Sequence, residues 1–424
     1  MDFQLHVGLV LALRKRAAET RTITEGITGM PRQHKLALTL FALTALSAAA
    51  QMSDKYQPNA ESKKYPTGSS IERRTRMRAI AMNPAYTRVF DLSALPDYVP
   101  EGHPEGTLRI CGNNYIGDSP LGGWWKEAFE KLQPGIKIQY NLQTAAVAVT
   151  CLAQGLADIG ITHEPSFYDY LTYQRLKGHP PTGVLILTGS YDVVGWQNNM
   201  VIVVNKNNPL THISMEQLDG IFGSQRAGGW VGQIWHPEFA RGSEKNIRTW
   251  GQMGLAGEWQ QRAITTYGYS LRYATALEFS DKVLRSSDKW NDNLMGFGNY
   301  EKPDGKTYLE ADQIVDHVRD DPNAIAYVRF HPNFPTDVKI LDLGKTNDGP
   351  FVHYSMDTLR DHSYPLWGGQ TFWFDVPPGS HVDPKVREFV RFVLSKQGQS
   401  LLMKDGKYLP LTAEEVQTEL ARLK

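Results

Sequence analysis

Short apolar runs alternate with helical segments along the first part of this chain, and that alternation narrows its fold more than any other feature. In TLRICG, Leu108 and Ile110 fall on alternate positions, as one face of a strand requires. After a turn-rich stretch, WWKEAFEKLQP places Trp124, Trp125, Ala128, Phe129 and Leu132 at helical spacing, and Pro134 ends the helix. IKIQYNL alternates again, Thr144 to about Gln154 reads as a second helix, and DIGIT is a third, short strand. Strand, helix, strand, helix, strand is the order of an α/β domain with a parallel sheet.

The same vocabulary continues downstream. VLILTG and NNMVIVVNKNNP read as strands. MVIVVN is continuously apolar and β-branched, the pattern of a strand covered on both faces, and Asn207-Asn208-Pro209 ends it. ISMEQLDGIF is a helix with Ser214 at the N-cap and Gln217 three residues on, a capping box. AIAYVRF and VKILDLG are further strands. DPKVREFVRFVLSKQGQSLLMKDG is an amphipathic helix pair whose apolar face includes Val386, Phe389, Val390 and Val393. No internal repeat of useful length is present in the sequence.

The N-terminal end sets the expected compartment. MPRQHKLALTLFALTALSAAAQ, from Met30, has a short basic region at Arg32 and Lys35, an apolar run from Leu36 to Leu46, and the small residues Ala48, Ala49 and Ala50 before Gln51. This is the pattern of a cleaved secretory signal peptide over residues 30–50, with residues 1–29 an upstream extension and Met30 the expected true start. No cysteine follows the apolar run, so no lipid attachment is expected there, and no later stretch is long enough for a membrane helix. Residues 51–106 form a polar N-terminal arm containing the basic run IERRTRMR and the extended lead-in FDLSALPDYVPEGHPEG. A soluble periplasmic protein is expected. Lys+Arg and Asp+Glu both number 45, so no global field draws this chain to nucleic acid or an acidic membrane, and any anion must be captured by local geometry. Of the two cysteines, Cys111 and Cys151, an oxidising compartment permits a disulfide, while the plainer reading is two small buried apolar side chains.

Three stretches carry chemistry. CGNNYIGDSPLGGWW runs from a strand end into a helix, where unsatisfied N–H groups and partial positive charge attract anions, and Asn113, Asn114, Tyr115 and Ser119 can add donors. In NLQTAAVAV a second helix opens near Thr144, whose hydroxyl can cap it or, with the following amides, bind an anion. GLADIGITHEPS ends a strand at the same carboxyl edge, where such sheets bind ligands, and brings Thr162, His163 and Glu164 to it. Asp158 reads as a turn or cap residue. A carboxylate near an anion accepts a proton from a protonated oxyanion and rejects one with no proton to give. There is no G-x-S-x-G, H-E-x-x-H or P-loop, and the histidines have no ligand spacing, so neither an enzyme, a metal nor a cofactor is expected.

Taken in order, these motifs resemble the phosphate-binding proteins of phosphate ABC importers, a branch of the type 2 periplasmic binding proteins, over about residues 107–410. The family's G-x-x-D-[hydrophobic]-G-x-[Ser/Thr]-Asp segment is matched by Gly155, Asp158, Gly160 and Thr162, with His163 in place of Asp. NPLTHISMEQLDGIF and EFVRFVLSKQGQSLLMKDGKYLPLT match two further family segments. The resemblance implies an α/β, two-lobed type 2 periplasmic binding protein fold, each lobe a mainly parallel sheet flanked by helices. Lobe 1 would comprise residues 107–192 and 366–424, and lobe 2 residues 193–365. Solute would bind in the cleft between them, with MVIVVN and QTFWFDVPP at or near the crossings.

It also implies a site. The lobe-1 donors would be Asn114 and Tyr115, and Thr144 with Ala145; the proton-reading carboxylate would fall at His163, with Glu164 shifted into that role. In lobe 2 the family carries an arginine and a Ser-Gly-Thr turn. Here Tyr269 stands at the arginine position and Tyr273-Ala274-Thr275 replaces the turn, leaving Arg272 as the guanidinium and Ser270 and Thr275 as donors. The implied partners are inorganic phosphate or a related oxyanion and a membrane ABC permease, with the chain acting as a monomer. The same fold binding another oxyanion or a phosphonate, or serving as a secreted sensor or scaffold through the arm, is the alternative.

Overall fold

A computed structural model describes residues 86–191, 199–303, 307–329 and 336–423. The upstream extension, the signal peptide and residues 51–85 of the arm lie outside the described residues. Along the chain run β1 (Gly106–Gly112), α1 (Leu121–Leu132), β2 (Ile136–Asn141), α2 (Ala148–Ala153), β3 (Ile159–Thr162), α3 (Phe167–Lys177) and β4 (Thr182–Thr188). Then come β5 (Met200–Asn205), α4 (Met215–Phe222), β6 (Thr265–Tyr269), α5 (Ala274–Val283), β7 (Met295–Phe297), α6 (Glu310–Asp320), β8 (Ala324–Arg329) and β9 (Val338–Ile340). β10 (Gly369–Phe374) precedes the terminal helices α7 (Pro384–Leu394), α8 (Lys396–Asp405) and α9 (Ala413–Ala421).

Two five-stranded sheets organise these elements. The first has the order β2-β1-β3-β10-β4, the second β7-β6-β8-β5-β9. In each, three strands are parallel, the fourth is antiparallel to both neighbours, and the fifth pairs with that fourth strand. The odd strands, β5 and β10, are those that follow each passage from one sheet to the other. Each sheet is flanked by helices: α7 and α9 pack on β4, and α6 packs on β5, β6 and β8. Two helix-flanked sheets make a two-lobed α/β architecture, the layout that the resemblance implies.

All six residues of MVIVVN in β5 are buried, as its composition requires. Both neighbours of β5 are antiparallel, so an apolar β-branched run reports cover on two faces and not strand direction. α4 opens with the Ser214–Gln217 capping box. Gly160 sits where an added Cβ would lie 2.8 Å from the Ala148 carbonyl oxygen, so a bare glycine lets α2 rest directly on β3. Asp158 receives the Arg109 guanidinium, Nη2 to Oδ1 at 2.7 Å, and the Arg109 amide at 2.8 Å, and so locks β1 beside β3. Cys111 at the end of β1 and Cys151 in α2 form a disulfide, with Cα atoms 6.5 Å apart. The plainer reading of two thiols is thereby corrected: β1 and α2 bring the two side chains together, and both are buried.

The lead-in has no regular secondary structure, but its apolar side chains are inside. Tyr86, Phe90, Leu92, Leu95 and Tyr98 are all buried against the first sheet's helices. The Tyr98 hydroxyl donates to Glu388 Oε2 at 2.7 Å, Gln133 Nε2 donates to the Tyr98 oxygen at 2.9 Å, and Arg391 pairs with Glu101 at 2.9 Å. The described part of the lead-in is thus a strap across α1, α7 and α8.

Candidate functional site

Three helical segments begin just beyond the carboxyl ends of parallel strands and look into one cleft of about 600 Å³. Beyond β2, Thr144 is extended and caps the 3-10 turn Ala145–Val147 that leads into α2. Its hydroxyl accepts from the Ala146 amide at a long 3.5 Å, and amides in a first turn have no acceptor within the helix. β3 ends at Thr162, so the strand alternation no longer constrains His163 and Glu164, and both line the cleft. From the second sheet, the turn after β6 and the start of α5 contribute Arg272 and Ala274, followed by Leu277, Glu278, Asp281 and Lys282. The segment Trp367–Gly369, entering β10, forms the floor where the chain returns between sheets.

The cleft's electrostatics are mixed. Tyr170 donates its hydroxyl to Glu164 Oε1 at 2.5 Å. Glu164 has exposed surface, yet protein surrounds its carboxyl, and this burial raises its pKa against the lowering effects of Tyr170, His163 and Lys282. Asp281 accepts from the Ser286 hydroxyl at 2.6 Å; burial first, and then the nearby Glu164 and Glu278, push its pKa up to about 6. Lys282 donates to the Trp367 carbonyl, lies 3.9 Å from Glu278, and has its pKa lowered by burial.

Of the residues expected from sequence, Thr144, Ala145, His163, Glu164 and Arg272 line this cleft. The others are placed differently. Asn114 Nδ2 donates to Asp118 at 3.0 Å, and the Tyr115 amide donates to Asn113 Oδ1 at 2.9 Å, so the short helix Asn114–Asp118 takes up these donors. Ser270 forms a turn: its amide donates to the Phe297 carbonyl at 2.8 Å, and its own carbonyl accepts from Tyr273 at 2.9 Å. Thr275 is buried, and its hydroxyl accepts from Arg329 Nε at 3.0 Å. Tyr269, which the resemblance sets at the arginine position, is a core residue whose hydroxyl accepts from the Arg329 amide at 3.0 Å. The Arg329 guanidinium is held by Glu278 at 3.0 Å.

Sequence reasoning missed Glu278, Asp281 and Lys282. The signal was present: Ala274, Glu278, Asp281 and Lys282 follow the i, i+4, i+7, i+8 spacing of one helix face. Charged groups on the same helical stripe as lining residues mark a wet, polar cavity and not a core.

Among the described residues, no group of three or more His, Cys, Asp or Glu could hold a metal ion. Nor is any described helix long and apolar enough to cross a membrane. The site is a polar cleft lined from both of the helix-flanked sheets.

In sequence the chain is similar to phosphate-binding proteins. It is 25% identical over 332 residues to the phosphate-binding protein PstS of Pseudomonas aeruginosa strain PAO1, the match covering 78% of this chain and 91% of that protein. Among solved structures, a possible phosphate binding protein from Planctomyces limnophilus matches 75% of this chain and 98% of its own at 15% identity, with a TM-score of 0.43. An ABC-type phosphate transport receptor from Vibrio cholerae matches 71% and 99% at 16% identity, with a TM-score of 0.44. No family model matches the chain.

Proposed function

We propose that this protein captures inorganic phosphate outside the inner membrane, holds it between its two lobes and delivers it to a membrane ABC permease. The observation that carries the reading is the cleft itself: the helix opening at Thr144 from one sheet faces Arg272 and Lys282 from the other. Helix amides and hydroxyls supply neutral donors, and the cations supply charge that neutral donors alone do not. The relationship to PstS points the same way. Glu164, held by Tyr170, is the group that would accept a phosphate proton and repel a fully deprotonated oxyanion. The chain performs no bond chemistry in this reading; closure removes water and strengthens the hydrogen bonds already aimed at the ligand.

A second reading, another oxyanion or a phosphonate in the same cleft, is favoured by the burial of Tyr269, the residue that the resemblance sets at the family's arginine position. Calorimetric titration of the chain from Gln51 with phosphate, then sulfate, separates the two. Saturable phosphate binding with no sulfate heat is the expected result; sulfate binding as tight as phosphate would reject the proton-reading role of Glu164. Absence of phosphate binding would leave the second reading.

A further inference from the structure

An anion enclosed between two lobes needs compensation from both, because burying it unpaired is costly. The first lobe supplies the opening at Thr144. In the second, Tyr269 is sealed in the core, and Arg329 is committed to Thr275 and Glu278. Arg272 lines the cleft but is exposed, so water and salt screen its charge. Lys282 remains, on the same face of α5 as Ala274 and Glu278.

We propose that Lys282 is the cation that the second lobe presents to the bound anion, and that its bond to the Trp367 carbonyl is a resting position, released when the lobes close. The inference rests on the oxyanion reading of the cleft and assigns a residue that the family motif does not supply.

The geometry fits a transferable side chain. Lys282 Nζ donates to the Trp367 carbonyl and lies 5.3 Å from the centroid of that indole ring. Its nearest carboxylate, Glu278, stands at 3.9 Å, beyond hydrogen-bond distance, and is already held by Arg329. An ammonium has three donors, so one carbonyl leaves capacity for an oxyanion. The other charged groups around it are Glu164 from the first lobe, and Arg329 and Asp281 from the second. Burial disfavours its charge, Glu278 opposes that effect, and a bound anion would restore the charge further.

Trp367 makes the contact consequential. It lies in the returning passage between sheets, with its ring stacked on His362 at 3.4 Å between centroids and 2° between planes. The adjacent Gly368 amide donates to Asn199 Oδ1 at 2.8 Å, tying the returning passage to the outgoing one. An anion and the hinge carbonyl therefore compete for the same Nζ, which links occupancy of the cleft to the freedom of the hinge.

Phosphate calorimetry on the wild type, Lys282→Met and Lys282→Arg at neutral pH tests the proposal. A charged hydrogen bond of the usual strength predicts a loss of about 10- to 100-fold in Lys282→Met. In Lys282→Arg, binding should persist, because the charge and its donors are kept. Tight wild-type binding with unchanged affinity in Lys282→Met overturns the Lys282 assignment alone. Wild-type failure to bind phosphate overturns the phosphate reading and this assignment together. If Lys282→Met does not fold, Lys282→Gln decides, and phosphate affinity unchanged from wild type in that variant refutes the proposal.

Discussion

Asp281 shows how far a single side chain in this cleft is from its ordinary state. Its ordinary pKa of 3.8 is pushed up to about 6, by burial first and by Glu164 and Glu278 after it. Between those values the folded chain holds a proton that the unfolded chain has released. The group's contribution is therefore present at acid pH and lost as pH rises through about 6. Asp281→Asn should stabilise the ligand-free protein at neutral pH by up to about 3 kcal/mol and do nothing near pH ~3, where both forms are protonated. Thermal melts of the two proteins across that range check it; an equal gain at both ends would show that charge is not the cause. Residue identity was legible where a motif fixed backbone geometry, as at Gly160, and less so where a motif had been rewritten. At Tyr269 an aromatic packs into the second sheet's core and lends its hydroxyl to the Arg329 amide, 60 residues on. No local pattern encodes that pairing, because the two residues meet only once β6 and β8 lie side by side.

At the scale of elements, periodicity served well for strands and helices that bury one face, and composition misled where burial is irregular. The lead-in reads as a polar, proline-rich stretch, yet each of Tyr86, Phe90, Leu92, Leu95 and Tyr98 is buried. At roughly 2 kcal/mol for each such side chain, the strap contributes on the order of 10 kcal/mol, comparable to the whole stability of an ordinary domain. A chain beginning at Gly106 is expected not to fold cooperatively, whereas one beginning at Arg76 should melt as the longer chain does. Circular dichroism melts of the two would decide it, and a stable, cooperative chain from Gly106 would show that the strap is ornamental. α5 makes the complementary case. Its five cleft-lining positions were readable as one stripe, but only the knowledge that the opposite stripe packs on the second sheet says which side faces ligand.

The whole molecule repeats one layout in two sheets, three parallel strands and an antiparallel fourth strand that follows the passage from the other sheet, although the sequence shows no repeat. Backbone topology can be duplicated while side chains diverge, since each sheet needs only apolar faces and crossovers of the right length. The parallel half of the first sheet was therefore legible from strand-helix alternation, whereas β6 and β7 of the second were not read as strands, and the likeness between the two sheets came only from the family resemblance. That layout puts Thr144 and Lys282 on opposite walls of one cleft, with Trp367 at its floor. The most direct test is a crystal structure of the chain grown with phosphate. The account predicts a phosphate enclosed between the lobes, accepting from the first turn at Thr144 and from Lys282 Nζ, with the bond to the Trp367 carbonyl broken. A phosphate bound outside this cleft, or an occupied cleft with Lys282 still on Trp367, would contradict it.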